Sequence, residues 1–303
     1  MGAGHDHTTL TGGHRGRLAL VLAFTLTVFA VEAVGALLSG SLALLADAGH
    51  MAADAAGIVM ALIAATLAQR APTRRRTFGW QRVEILAAMA NAVLLLGLAL
   101  YVLIEAVRRF FSPPEVASGL MLVVAVVGLV ANTSSLMLLR RAQALSLNIR
   151  GAYLEVLGDL VGSVAVVVAA VVIALTGWVW ADAVASAAVG ALILPRAWVL
   201  LREAVDVLLE AVPKGVDLDH VRDHIRRVPG VLDVHDLHAW TITSGLPVLS
   251  AHVVVDEKTM NGGHTGRVLD ALHACLAEHF DVTHSTFQIE SAQHRDHEHA
   301  THD

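Results

Sequence analysis

Charged residues are scarce in this chain of 303 residues. Asp, Glu, Lys and Arg make up 16% of the chain and hydrophobic residues 55%, whereas a soluble domain is usually about 25% charged and about 45–50% apolar. The deficit falls in the first two thirds, and the last third has the composition of a soluble domain. We therefore expect a membrane portion followed by a water-soluble portion.

Cysteine is almost absent as well. The single Cys275 excludes an intramolecular disulfide and is expected to be a small buried residue on a helix. The chain also lacks an H-E-x-x-H sequence. That absence argues against an intramembrane metalloprotease, which needs a metal-bound water and a general base. We expect the protein not to be an enzyme.

Six apolar stretches are each near the ~20 residues that cross a bilayer as a helix. They are Arg17–Leu38, Leu42–Leu67, Val83–Val107, Val116–Leu139, Ala152–Leu175 and Val179–Leu201. The breaks between them are short and unevenly charged. Arginines cluster within residues 70–82 and 140–150, whereas the loops on the opposite side hold only Arg108 and Arg109. The excess of positive charge on one side predicts that both termini are cytoplasmic.

From about residue 213 the pattern becomes that of a soluble domain. Residues 216–230 and 263–280 read as helices, and residues 231–243, 246–256 and 285–290 read as strands. The order α-β-β-α-β predicts a small open sheet with helices on one face. We expect four regions: a His-containing cytoplasmic tail (1–16), a six-helix membrane domain (17–211), a soluble domain (212–291) and a disordered His-rich tail (292–303).

Two apolar stretches contain pairs of potential metal ligands. The second carries His50 and Asp54, and the fifth carries Glu155 and Asp159. Each pair is four residues apart and shares one helix face. A central Asp in a span costs about 2.5–3.5 kcal/mol on insertion scales, so ionisable residues there need a compensating role. Four potential ligands on two facing helices predict a tetrahedral metal site. Alternatively, each acid is capped by a polar neighbour or faces a water pocket. Asp47 is a candidate partner or gate residue.

Four segments together resemble the cation diffusion facilitator transporters, which include bacterial zinc exporters and animal zinc transporters. They are SLALLADAGHMAAD, FGWQRVEILAAMAN, LEVLGDLVGS and VLDVHDLHAWTITSGLPVLSAHVVV. The resemblance runs from about residue 15 to residue 290. It implies an α-helical membrane protein with six transmembrane helices and a cytoplasmic α+β ferredoxin-like domain. It also implies a homodimer in the bacterial inner or plasma membrane that exports divalent metal ions in exchange for protons.

Matched position by position, the family's transport site falls on His50, Asp54, Glu155 and Asp159. Zinc-transporting members usually have His where this sequence has Glu155. Glu is a harder oxygen donor than imidazole, so the sequence leaves Mn²⁺ or Fe²⁺ as alternatives to Zn²⁺, the favoured ion, with Cd²⁺ and Co²⁺ also considered. A membrane metal sensor or scaffold that does not transport is the alternative from another functional class.

In the soluble domain, the resemblance implies His235, His252 and Glu290 as ligands of a second, regulatory metal ion. His238 is expected on the opposite face of a regular strand from His235. Apart from these ions, no cofactor is expected. The expected partners are a second copy of the chain, membrane lipids, divalent metal ions and protons, and no nucleic acid.

Overall fold

The computed structural model describes residues 15–140, 147–280, 282, 284–295 and 297. Six long helices come first: α1 (Arg15–Ser39), α2 (Leu42–Ala68), α3 (Val83–Phe111), α4 (Ser118–Arg140), α5 (Leu147–Thr176) and α6 (Trp180–Leu208). Shorter elements follow: α7 (Leu218–Arg226), β1 (Val231–Thr241), β2 (Pro247–Val255), α8 (Glu257–Asn261), α9 (Thr265–His279), β3 (His284–Ser291) and α10 (Ala292–Arg295). The predicted order of helices and strands along the chain is confirmed, and α8 and α10 are additional short helices.

Five described helices are long and apolar enough to cross a membrane, judged by length and composition. They are Leu42–Ala68, Val83–Phe111, Ser118–Arg140, Tyr153–Thr176 and Trp180–Leu208. In α1, the stretch Thr27–Ser39 is apolar but shorter than a span, so the first of the six predicted spans stays a prediction. Several helices continue beyond the apolar stretches read from the sequence, because a helix does not have to end where the hydrocarbon core ends.

The described residues fall into two compact units. One lies within Met1–Val59 and Ala90–Val199, and the other within Met60–Met89 and Leu200–Asp303. The second unit therefore combines the predicted soluble domain with the loop at residues 69–82 and the adjoining ends of α2, α3 and α6. Within it, Arg82 pairs with Glu210 at 2.8 Å, and the Thr243 hydroxyl donates to the Glu84 carboxylate.

In the first unit, α2 packs against neighbours on two sides. Ala43 contributes to an apolar cluster with Met121 of α4 and Val166 of α5. Ala46 contributes to a second cluster with Leu95 of α3 and with residues of α6. Alanine at these contacts lets the helix backbones approach closely, as is typical of membrane helix packing. The packing holds α2 beside α5, the two helices that carry the predicted intramembrane ligands.

The soluble domain contains a three-stranded sheet of order β1-β2-β3. Strands β1 and β2 are antiparallel, and β2 and β3 are parallel. The β1–β2 turn contains Gly245 at φ 75°, a conformation that glycine adopts without strain. Ile225 of α7 and Leu272 of α9 join Leu249 of β2 in one buried cluster. The predicted α-β-β-α-β order along the chain and the packing of both helices on the sheet are confirmed, and the ferredoxin-like fold remains an expectation.

The beginning of the C-terminal tail differs from the prediction of disorder. Ala292–Arg295 form the one-turn helix α10, and Arg295 pairs with Asp233 of β1. Burial acts to raise the pKa of Asp233, but hydrogen bonds from Arg226 and a backbone N–H, together with the charge of Arg295, hold that pKa below its ordinary value. Residues 1–14, 296 and 298–303 of the two predicted tails lie outside the described residues.

Candidate metal sites

Three of the four predicted intramembrane ligands lie together between α2 and α5. The Nε2 atom of His50 is 3.1 Å from an Asp159 carboxylate oxygen and 3.6 Å from one of Asp54. Ligand atoms from the three side chains all lie within 4.8 Å of one another. His50 is only 6% exposed. The i, i+4 spacing on α2 and the contact of α2 with α5 thus create a compact donor set of one nitrogen and two carboxylates.

These donors suit a divalent ion. Two carboxylates supply two formal negative charges, and a neutral imidazole supplies a nitrogen lone pair. The other ring nitrogen of His50, Nδ1, is buried and has no hydrogen-bond partner among the described residues. The Nε2 atom is therefore the imidazole nitrogen directed toward both carboxylates. Three protein ligands leave a fourth tetrahedral position for water or another donor.

Glu155, the fourth predicted ligand, has a different partner in the structure. Its carboxylate pairs with the Arg196 guanidinium of α6 and does not belong to the compact group formed by the described residues. Arg196 lines a cavity of about 170 Å³ together with Asp47, His50 and Asp159. Asp47 is buried at this cavity and remains a candidate partner or gate residue. The sequence reasoning missed Arg196, although an arginine inside an apolar span requires a counter-charge.

The predicted soluble-domain ligands also lie together. His235 of β1 and His252 of β2 are paired across the antiparallel ladder, and their ring centroids are 5.1 Å apart. Glu290 of β3 is buried, contacts His235 through a carboxylate oxygen, and lies 3.8 Å from His252 Nδ1. The three ligand groups lie within 4.8 Å of one another. The structure thus brings the three residues together, and their role as ligands stays a prediction.

A bulge in β1 changes the surroundings of this soluble-domain cluster. The strand register shifts between His235 and His238, and Asp236 adopts φ 48°. The strand is therefore irregular here, whereas the position predicted for His238 assumed a regular strand. Asp236 lies 3.0 Å from His238 Nε2 and 3.7 Å from His252 Nε2. Alternation along the sequence does not reveal a bulge, so Asp236 could not be identified as a neighbour of the cluster.

A second polar network anchors the start of α2. Asp182, at the start of α6, is buried and accepts hydrogen bonds from the Ser41 hydroxyl at 2.6 Å and the Leu42 backbone N–H at 2.8 Å. It also pairs with Arg109 of α3 at 3.2 Å. Arg109 also lies 3.6 Å from Glu105 of the same helix. Asp182 satisfies otherwise unpaired N–H groups of the helix that carries the intramembrane donors.

Comparisons with known proteins identify the family of the chain. The family model "Cation efflux transmembrane domain" matches residues 18–209, and "Cation efflux protein, cytoplasmic domain" matches residues 213–292. The chain is 46% identical to "Metal cation efflux system protein CzcD" of Cupriavidus metallidurans, over 96% of this chain and 91% of that protein. It is 39% identical to the "Cadmium, cobalt and zinc/H(+)-K(+) antiporter" of Bacillus subtilis, over 96% and 93% of the two chains. It is 40% identical to "Zinc transporter ZitB" of Escherichia coli, also over 96% and 93%.

Proposed function

Because this chain belongs to the cation diffusion facilitator (cation efflux) family, we propose that it exports divalent metal ions from the cytoplasm, with zinc as the preferred ion, in exchange for protons. The observation that carries the proposal is the compact group of His50, which is buried, with Asp54 and Asp159, which are partly buried, on two apolar helices. Ionisable side chains inside membrane spans are energetically costly, so their presence indicates a functional site. A site in the membrane domain suits an ion that must cross the bilayer.

Zinc is favoured because the compact group offers an imidazole nitrogen and two carboxylate oxygens. Nitrogen donors suit zinc and neighbouring late metals, whereas all-oxygen sites suit manganese. Glu155 was the reason to consider Mn²⁺ or Fe²⁺, and its pairing with Arg196 weakens that alternative. Relatives whose names include zinc, or cadmium, cobalt and zinc, support the same choice.

Proton exchange follows from the chemistry of the ligands. An imidazole must be neutral and a carboxylate ionised to hold a metal ion, so proton binding and metal binding oppose each other at the same atoms. A proton arriving from a more acidic exterior would release the metal there. A relative named as a metal/H(+)-K(+) antiporter supports this coupling. We propose a transporter rather than an enzyme.

The soluble domain is proposed to hold a regulatory metal ion and to join two copies of the chain. His235, His252 and Glu290 would hold the ion through two nitrogens and one carboxylate. The family model matched by residues 213–292 carries the name ZT_dimer, which supports a homodimer. The arginine-rich loop at residues 70–82 supports a cytoplasmic position for this domain and both termini.

Transport into sealed vesicles tests the proposal. Purified protein would be reconstituted with a metal-sensitive dye inside, and Zn²⁺, Cd²⁺, Co²⁺, Mn²⁺ and Fe²⁺ would be added in parallel with and without a pH gradient. We expect zinc flux that depends on the gradient and is accompanied by opposite proton movement. Vesicles with Asp159→Asn serve as the matched control. Binding without flux of any metal would indicate a sensor or scaffold, and preferential Mn²⁺ or Fe²⁺ flux would overturn zinc selectivity.

A further inference from the structure

Arg196 occupies an unusual position for a positively charged side chain. It lies near the middle of α6 (Trp180–Leu208), a helix long and apolar enough to span the membrane. An arginine in that environment carries a large desolvation cost unless a counter-charge or water accompanies it. The structure supplies a counter-charge, because Arg196 pairs with Glu155, and the arginine also borders the cavity that His50 and Asp159 line.

The pair determines how much charge the metal site presents. Asp54 and Asp159 carry two formal negative charges, which match one divalent ion. With Glu155 as a further free ligand the site would carry three. Pairing with Arg196 cancels the charge of Glu155 and engages one of its carboxylate oxygens in a charge-assisted hydrogen bond. The remaining site keeps one nitrogen donor and two carboxylates.

We propose that Arg196 is a specificity-determining residue, which holds Glu155 out of the metal's coordination shell and so preserves a zinc-type site despite a glutamate at this position. This inference rests on the transport site proposed above. When paired with Arg196, Glu155 balances the arginine and does not bind the ion. When released, Glu155 adds a hard oxygen donor and shifts preference toward manganese.

Three substitutions separate this role from direct ligation by Glu155. Glu155→Gln leaves Arg196 unpaired beside the site and should weaken zinc binding by about tenfold or more. Arg196→Gln frees Glu155 and should lower the preference for Zn²⁺ over Mn²⁺ by about tenfold. The double substitution removes both charges and should recover zinc affinity to within about threefold of wild type, since coupled residues give non-additive effects. Arg202→Gln is the matched control, because it disturbs an exposed pair with Asp206 at 3.9 Å on the same helix. It should change neither the zinc affinity nor the preference for Zn²⁺ over Mn²⁺.

The measurement is competitive Zn²⁺ and Mn²⁺ binding to the full-length protein in detergent, made in a His252→Ala background so that the soluble-domain site does not contribute, with elution volume and melting temperature as folding controls. A double variant that binds zinc as weakly as Glu155→Gln, or an Arg196→Gln variant with the wild-type metal preference, would overturn the proposal. The double variant leaves neither Glu155 nor Arg196 as an unpaired charge. Its zinc affinity relative to wild type therefore still tests direct ligation by Glu155 where a single variant misfolds. Unchanged zinc binding in Asp159→Asn would instead overturn the transport site itself, and binding without vesicle flux would overturn only transport.

Discussion

His50 joins the two helices of the intramembrane site. Its Nε2 atom lies near a carboxylate from its own helix, Asp54, and a carboxylate from α5, Asp159. With little solvent around it, the imidazole either forms hydrogen bonds to these oxygens or shares a metal ion with them. This choice between a proton and a metal ion at one nitrogen is the physical basis of the proposed exchange.

Asp159→Asn should abolish zinc transport while the protein stays folded. It removes one of two carboxylates from the compact group, and we expect a loss of metal affinity of at least ~100-fold, beyond the ~10–100-fold typical of residues that only support a ligand. Zinc flux in vesicles and zinc binding in detergent measure the effect. Asp206→Asn is the control, since that carboxylate is 49% exposed and pairs with Arg202. Near-normal zinc flux in Asp159→Asn would contradict the assignment.

At the scale of elements, α2 depends on contacts at its first turn. Asp182 connects the start of α2 to α6 and, through Arg109, to α3. A buried carboxylate that accepts several hydrogen bonds and pairs with an arginine is costly to disturb, because the remaining groups stay buried without partners. The network therefore fixes the position of the helix that carries His50 and Asp54.

Asp182→Asn should destabilise the membrane unit by about 3 kcal/mol, as expected for breaking a buried ion pair. Glu105→Gln is the matched comparison and should cost at most about 1 kcal/mol, because its pairs with Arg108 and Arg109 are longer and its side chain is partly exposed. Melting temperatures in detergent measure both. Equal shifts for the two variants would show that Asp182 does not anchor α2.

The contact between β1 and α10 has a pH dependence that can be tested. Because the pKa of Asp233 is lowered in the folded protein, its contribution to stability is present above the unfolded value of about 3.9 and is lost as the pH falls through the folded value. Asp233→Asn should therefore destabilise the soluble domain by ~1 kcal/mol near neutral pH, and the difference from wild type should begin to shrink below about pH 4 and vanish once the pH is below the folded pKa of Asp233.

Thermal unfolding of the full-length protein across a pH series measures this effect of Asp233. Asp219→Asn is the control, since Asp219 is 89% exposed and pairs with Arg222 within the same helix. A difference between wild type and Asp233→Asn that persists with the same size at the lowest pH would show that the ion pairs of Asp233 are not its source.

At the scale of the whole molecule, two donor groups lie among the described residues, one in each of the two units. One group is intramembrane, and the other joins three strands of the soluble sheet. Their donor sets differ, because the soluble group has two imidazoles and one carboxylate. Two sites of different composition are consistent with one site for passage and one for regulation.

His252→Ala should remove one metal ion per chain from the soluble domain while zinc flux continues at a reduced rate. His252 belongs to the donor group of the soluble domain and not to the intramembrane donor group. Calorimetric zinc titration in an Asp159→Asn background isolates the soluble site, and vesicle flux in the otherwise wild-type chain tests transport. His273→Ala controls for loss of an exposed imidazole. Unchanged stoichiometry in His252→Ala would remove His252 from the ligand set.

The sequence alone determined features that depend on near neighbours. The lengths of apolar runs predicted the five helices now seen to be long enough to span, because hydrophobic length is a local property. The i, i+4 spacing placed His50 and Asp54 on one face. Alternating strands and the short turn at Gly245 placed β1 beside β2. These predictions succeeded because each depends on residues that are adjacent in the chain or joined by a short turn.

Only the tertiary structure decided which distant side chains meet. Glu155 and Arg196 are 41 residues apart in sequence, and Ser41 and Asp182 are 141 apart. Spacing on one helix shows which face a side chain shares but not which other helix packs there. The bulge that places Asp236 near His252 depends likewise on pairing between strands. The intramembrane site therefore has three grouped donors and a separate ion pair, instead of four equivalent ligands, because packing of α6 against α5 gives Glu155 an arginine as its partner.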